Sequence, residues 1–372
     1  MRRVNYTEIE SQQALHDLLE QRFSVSRYAF QNVDFTCEAK AEECEYEDCI
    51  FMGCRLTEAM RSGLASSCYI FPAMPKPFML FPAEMYSART LYKGYDPRDE
   101  RTFATCYDSV VYAHYMVCGK QACDIGETLS RSLHDHSISD ALHDMLARYD
   151  ERAVVAVMGG HSLGRDEQMY RTVALAAKSL TEQGRLMVSG GGPGAMEATH
   201  LGAWMAGREV AELMEAIDIL AQAPRFEDRG WLALSFEVLR RYPRDERYCS
   251  IGIPTWFYGH EPATPFASHI AKYFDNSVRE DGLLAIAKGG VIYSPGSAGT
   301  MQEVFQDAAQ NHYKTFGYAS PMVFLGREHW TRTMPVYPLL ERLQAEGRYR
   351  NLLLSVVDTA EEAVEKIMEF EE

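Results

Sequence analysis

Ten residues, Ser294 to Glu303 (SPGSAGTMQE), concentrate residue types that could do chemistry. A strand-like run, Gly290-Val291-Ile292-Tyr293, leads into them, and a helical run, TMQEVFQDAAQNHY, follows. Gly296 and Gly299 let the backbone turn tightly and approach a ligand closely, because no side chain intervenes. The turn empties into the start of a helix, where free N–H groups and the helix dipole favour an anion. Gly296, Ser297, Ala298, Gly299 and Thr300 are thus expected to hold a phosphate, and Glu303 sits one turn further in. The same spacing would also serve a tight strand–helix turn with no ligand.

A second glycine turn, SGGGPGAMEATH (Ser189 to His200), also follows a strand-like run and opens a helix. A third strand, VVAVMGGHS, ends in Gly159, Gly160, His161 and Ser162. Such turns at the carboxyl ends of parallel strands fit a nucleotide held across them. Gly191, Gly192, Gly194 and Met196 would line that site. Glu197 either holds ribose hydroxyls or is a carboxylate favoured by the helix N-terminus.

The motifs AVMGGHSLGRDEQMY, LMVSGGGPGAMEA and SVREDGLLAIAKGGVIYSPGSAGTMQE together resemble the LOG family. These are nucleotide 5'-monophosphate phosphoribohydrolases, often mislabelled lysine decarboxylases. GGHS and GPGAMEA bring the chain closest to the bacterial nucleotide 5'-monophosphate nucleosidases. The resemblance runs from about Ala153 to Glu372, with a gap in the middle, and excludes the first 150 or so residues. It implies hydrolysis of the N-glycosidic bond of nucleoside 5'-monophosphates to free base and ribose 5-phosphate, with no metal or cofactor, by a homodimer or higher oligomer. The family's catalytic carboxylate, at the end of P-G-G-x-G-T-x-x-E, matches Glu303, and its arginine matches Arg279. Arg279 stands one residue further from Pro295 than in the family, and the doubled Gly289-Gly290 would absorb the difference. The chain departs from the motif at Ser297, where the family has glycine. If that position needs positive φ, serine is strained there; if not, it offers the phosphate a hydroxyl. Lost turnover would leave a nucleotide-binding or sensor protein using the same pocket, which is the alternative function.

The chemistry itself is consistent with these residues. Breaking an N-glycosidic bond builds positive charge on the ribose, so a nearby carboxylate lowers the barrier and can guide the attacking water. Two other mechanisms fit less well. Gly190 to Ala195 satisfies the dinucleotide pattern G-x-G-x-x-A, but it follows the second strand and lacks the acidic strand end that should come next. Lys288, which a pyridoxal-phosphate enzyme would need at a strand's carboxyl end, precedes its strand instead.

Of 372 residues, 47% are hydrophobic, as in an ordinary globular protein. A net charge of −16 argues against a nucleic-acid partner, which calls for a basic face. No apolar run is long enough to span a membrane, and MRRVNYTEIESQQ has no apolar core to act as an export signal, so a cytoplasmic location is expected. Nine cysteines, an odd number in a large chain, favour free thiols. Cys118, Cys123, His134 and His136 are too loosely spaced to argue for a zinc site. His134, His136, His143 and His200 are expected at the surface.

The alternation of strand, glycine turn and helix predicts an α/β fold, a Rossmann-like parallel sheet with helices on both faces, over residues 151–372. Two helical runs near 208–247 form an insertion, and Thr359 with Glu362 caps the last helix. Residues 1–150 form an accessory α/β or β-rich region. In it Tyr46, Phe51 and Leu56, and likewise Cys44, Cys49 and Cys54, recur every five residues, as in a short pentapeptide-like coil. Phe30 and Phe35 share that spacing one residue out of register. The proline- and aromatic-rich stretch from 60 to 125 predicts extended, packed segments, and the chain turns helical between Asp124 and Asp150.

Overall fold

The computed structural model describes residues 6–64 and 66–370. Met1 to Asn5, on which part of the expectation of no export signal rests, lie outside the described residues. The chain divides into two compact units, Met1–Glu84 with Gln121–Ala141, and Met85–Lys120 with Leu142–Glu372. A single boundary near residue 150 therefore does not describe the chain. Residues 85–120 belong to the second unit, and one division falls inside the helix Ile125–Leu146.

The first unit carries short strands: β1 (Thr7–Ile9), β2 (Ser24–Ser26), β3 (Tyr28–Gln31), β4 (Glu45–Glu47), β5 (Ile50–Met52) and β6 (Tyr69–Phe71). All pair in parallel, in the orders β1-β3-β5-β6 and β2-β4. Thr7 faces Tyr28, Ser24 faces Glu45 and Ala29 faces Ile50, so these circuits of the coil take 21 residues, while the last, from Ile50 to Tyr69, takes 19. One residue beyond a multiple of five per circuit is why Phe30 stands one place out of the five-residue register. Phe30 stacks on Phe51 with ring centroids 5.0 Å apart, and Phe35 and Tyr46 pack edge-on to Phe30. The corners also repeat by circuit. Arg27 and Asp48 both take left-handed φ, as do Asn32 and Gly53. A Cβ on Gly53 would lie 2.7 Å from Asn32 Oδ1, so this corner requires glycine.

The second unit is built on seven parallel strands: β7 (Val154–Met158), β8 (Leu186–Ser189), β9 (Ser250–Gly252), β10 (His269–Ile270), β11 (Val291–Tyr293), β12 (Pro321–Leu325) and β13 (Leu353–Val357). Their order is β10-β9-β8-β7-β11-β12-β13. β7, β8, β9, β11 and β12 are buried at every residue, the continuous apolar pattern of a sheet covered on both faces. Successive strands step one way from β7 to β10 and the other way from β11 to β13, which sends the connecting helices to opposite faces. This is the expected α/β, Rossmann-like fold. Its topological switch point lies between β7 and β11, where Tyr293 pairs with Met158.

Helix Gln168–Glu182 packs closely on helix Ala195–Trp204, because Gly202 leaves room for Ala174 O and Ala177 Cβ. The insertion forms helices Val210–Leu220 and Trp231–Arg241, whose Leu213, Ile217, Leu220 and Val238 enter the main core beside Val155 and Met187. Residues 85–120 hold more helix than their composition suggests. Tyr107–Cys118 is a helix, since Pro97 lies ahead of it and no proline falls between there and Cys118. Tyr86 exchanges backbone hydrogen bonds with Ile270 and so covers the β10 edge.

Candidate functional site

The glycine turns meet at the switch point. Gly160 N–H donates to Pro295 O at 3.1 Å, and Gly160 O accepts from Ala195 N–H at 3.2 Å, so the turns after β7, β8 and β11 form one knot of backbone. The close approach is why these positions are glycine. A Cβ on Gly159 would lie 2.7 Å from Ala195 Cβ, and one on Gly194, at φ 70°, would lie 2.7 Å from His161 O.

Above the knot is a cavity of about 250 Å³. Gly159, Gly160, His161, Gly192, Met196, Arg279, Ser297, Gly299, Thr300 and Glu303 line it. Ser162, Gly191, Gly194, Glu197, Gly296 and Ala298 were also expected to line the site, and they do not. Gly191 and Gly194 shape the backbone from behind, and Gly296 leaves room for the Thr300 hydroxyl. Ser162 faces a smaller pocket, and its carbonyl accepts from Arg225 at 2.7 Å.

Glu197 does structural work. It is fully buried and takes a two-pronged bond from Arg165, at 2.8 Å from Nε and 2.7 Å from Nη2, with the Tyr170 hydroxyl at 3.0 Å. The same guanidinium donates to Ser235 Oγ and Trp231 O and lies over the Trp231 ring. The pair thus ties the insertion to the sheet. His200 and His134, expected at the surface, are buried. Burial lowers the His200 pKa to about 3, and its Nδ1 meets Ser250 Oγ at 3.0 Å. All nine cysteines are free.

The end of the cavity expected to take a phosphate is the start of helix Ala298–Tyr313. Its N-cap, Ser297, has φ −123°, so serine is tolerated where the family motif has glycine. The Ser297 side chain makes no capping bond and lines the cavity. A Cβ on Gly299 would meet nothing within 4 Å.

Two helices bring Arg279 and Glu303 together. Asp275 caps helix Asn276–Ile286 by accepting from Ser277 N–H at 2.8 Å, which sets Arg279 one turn in. Gln302 donates to Glu280 at 2.9 Å and Gln306 to Asp281 at 2.7 Å, tying this helix to the one that carries Glu303. The Tyr293 hydroxyl, from β11, donates to Asp307 at 2.7 Å and fixes the rotation of that second helix. Arg279 Nε donates to Ile253 O at 2.9 Å, and the guanidinium reaches over Gly190, where any Cβ would collide with it.

Burial pushes the Glu303 carboxyl up to about 7; Arg279 opposes this rise and Glu280 adds to it. Burial also raises Asp307 to about 7, with the Tyr293 bond opposing. A carboxyl poised near neutrality can accept a proton from water and can carry charge beside a developing cation.

Part of the wall was missed from sequence. Pro254, Thr255, Tyr258, Glu261 and Ala263 come from the loop after β9, while Gly190 and Glu280 adjoin expected residues. The available signal was GIP, Gly252 to Pro254, a strand end followed by a break like the other glycine turns. Trp256 holds this loop in place, donating to the buried Asp108 at 2.9 Å, which also pairs with Lys272 at 2.6 Å.

No family model matches the chain, and no curated protein matches it. Among solved structures, a molybdenum cofactor binding protein from the phototrophic bacterium Rippkaea orientalis is similar at 15% identity and TM-score 0.35, over 58% of this chain and 95% of its own. The molybdenum cofactor carrier protein of Chlamydomonas reinhardtii is similar at 14% identity and TM-score 0.36, over 58% of this chain and 96% of its own.

Proposed function

We propose that this protein hydrolyses the N-glycosidic bond of nucleoside 5'-monophosphates, releasing a free base and ribose 5-phosphate, as the motif resemblance to the LOG family suggests. One observation carries the reading: a single cavity at the switch point joins an anion-binding helix start to the Arg279–Glu303 pair. The 5'-phosphate sits at the start of helix Ala298–Tyr313, where backbone N–H groups and the Ser297 and Thr300 hydroxyls face it. The ribose then lies over Glu303 and Arg279. As the C1'–N bond breaks, its electron pair leaves with the base. The Glu303 carboxylate stabilises the cationic sugar and takes a proton from the attacking water, whose oxygen bonds C1', while a proton from solvent completes the departing base. Arg279 holds Glu303 partly ionised near neutral pH.

The test is to incubate pure protein with each common nucleoside 5'-monophosphate and follow free base. Release from at least one supports hydrolysis. Binding without release would instead make the protein a nucleotide-binding module.

A further inference from the structure

We infer that Glu261 is the residue that takes the ribose hydroxyls of the nucleotide, and so sets a preference for ribo- over 2'-deoxyribonucleotides. The inference rests on the nucleoside monophosphate reading and adds a sugar specificity to it. Three carboxylates line the cavity, and two have other partners. Glu303 faces Arg279, and Glu280 accepts from Asn276 at 2.8 Å and from Gln302 at 2.9 Å. Glu261 is the third. Its side chain is 15% exposed, and the neighbouring imidazole atoms His161 Nδ1 and His260 Nε2 each lie 3.7 Å from Oε1. That separation exceeds a hydrogen bond, so the carboxylate keeps accepting capacity toward a ligand.

Position selects the hydroxyls. Glu261 Oε2 lies 3.6 Å from where a Cβ on Gly192 would stand, so the carboxylate overhangs the glycine turn after β8. The anion-binding helix start follows β11, on the far side of β7 in the strand order. A ribose 5-phosphate bound at that helix start turns its 2' and 3' hydroxyls away from the phosphate. Two adjacent hydroxyls match the two oxygens of one carboxylate, as acidic residues do in dinucleotide sites. Glu197, the candidate from sequence, is fully buried, paired with Arg165 and outside the lining of this cavity. The loop holding Glu261 is fixed by Glu261 N–H donating to Tyr258 O at 2.9 Å.

The experiment compares the best ribonucleoside 5'-monophosphate with its 2'-deoxy counterpart, using wild type, Glu261→Gln and Glu261→Ala. Wild type should favour the ribonucleotide by about 10-fold or more in kcat/KM, the loss expected for one charge-assisted hydrogen bond. Glu261→Ala should bring the ratio close to one by weakening the ribonucleotide alone, and Glu261→Gln should retain part of it. An equal loss on both sugars, or a changed base preference with the sugar ratio intact, would overturn the assignment. If neither nucleotide is hydrolysed, the nucleosidase reading fails. Calorimetric dissociation constants for the same pair then decide the Glu261 assignment separately: the wild-type preference must be present in binding and absent in Glu261→Ala, or the assignment falls too.

Discussion

At the scale of single residues, the account turns on how Glu303 is protonated. Its carboxyl sits near 7 because burial disfavours the charged form. The ionised form does the work, so kcat/KM should rise with pH through about 7 and then level off. Arg279 opposes the shift, so Arg279→Ala should lower the rate and move this limb to higher pH. A limb that stays at the same pH in Arg279→Ala would separate the two residues. The same shift bears on stability. A carboxyl raised from its ordinary 4.5 to about 7 in the fold makes the folded state progressively less stable as pH climbs through that window. Asp307 acts in the same sense. The place of Glu303 was legible in the sequence, because it follows a glycine turn by one helical turn, whereas Arg279 came only from the motif resemblance; both line the cavity. The roles of Glu197 and Glu261 were not legible. Arg165 meets Glu197 across 32 residues, and the Glu261 loop is shaped by contacts of Trp256 and Asp108 across 148 residues.

At the scale of elements, the start of helix Ala298–Tyr313 and the Arg165–Glu197 tie make opposite predictions. Gly299→Val adds a side chain that meets no protein atom within 4 Å of its Cβ, so the fold should survive while the phosphate path fills. Nucleoside monophosphate affinity, by calorimetry, should fall severely with little change in melting temperature, and unchanged affinity would remove the turn from the site. Glu197→Ala should do the reverse. It leaves the Arg165 guanidinium buried without its partner, a loss on the order of 3–5 kcal/mol. Urea unfolding should show that loss, and a variant as stable as wild type would mean that the pair does not hold the insertion to the sheet. The distinction was hidden from sequence reading because a glutamate at a helix start looks the same whether it faces a ligand or a buried arginine. The place of the insertion helices was left open by sequence for a related reason: their apolar faces are visible in sequence, but the core they join is not.

At the scale of the whole molecule, the parallel sheet could be anticipated, because β7, β11 and β12 are continuous apolar runs that lead into glycine-containing turns. The division of the chain could not. Residues 85–120 carry the aromatics of an accessory region and a proline, Pro97, yet they fold with the sheet through the Tyr86–Ile270 bridge and the buried Asp108–Lys272 pair. Among the described residues no helix is long and apolar enough to cross a membrane. On the proposed reading, a chain of net charge −16 would bind an anionic nucleotide through a local field, that of the N–H groups at one helix start and Arg279. The most direct measurement follows the nucleoside monophosphate panel with wild type and Glu303→Gln side by side, reading free base released and, by calorimetry, nucleotide bound. Gln keeps the size of the side chain but carries no charge and accepts no proton. Base release by Glu303→Gln should therefore fall about 100-fold or more with affinity nearly unchanged. Equal rates in the two proteins, or no base released from any monophosphate by wild type, would contradict the account.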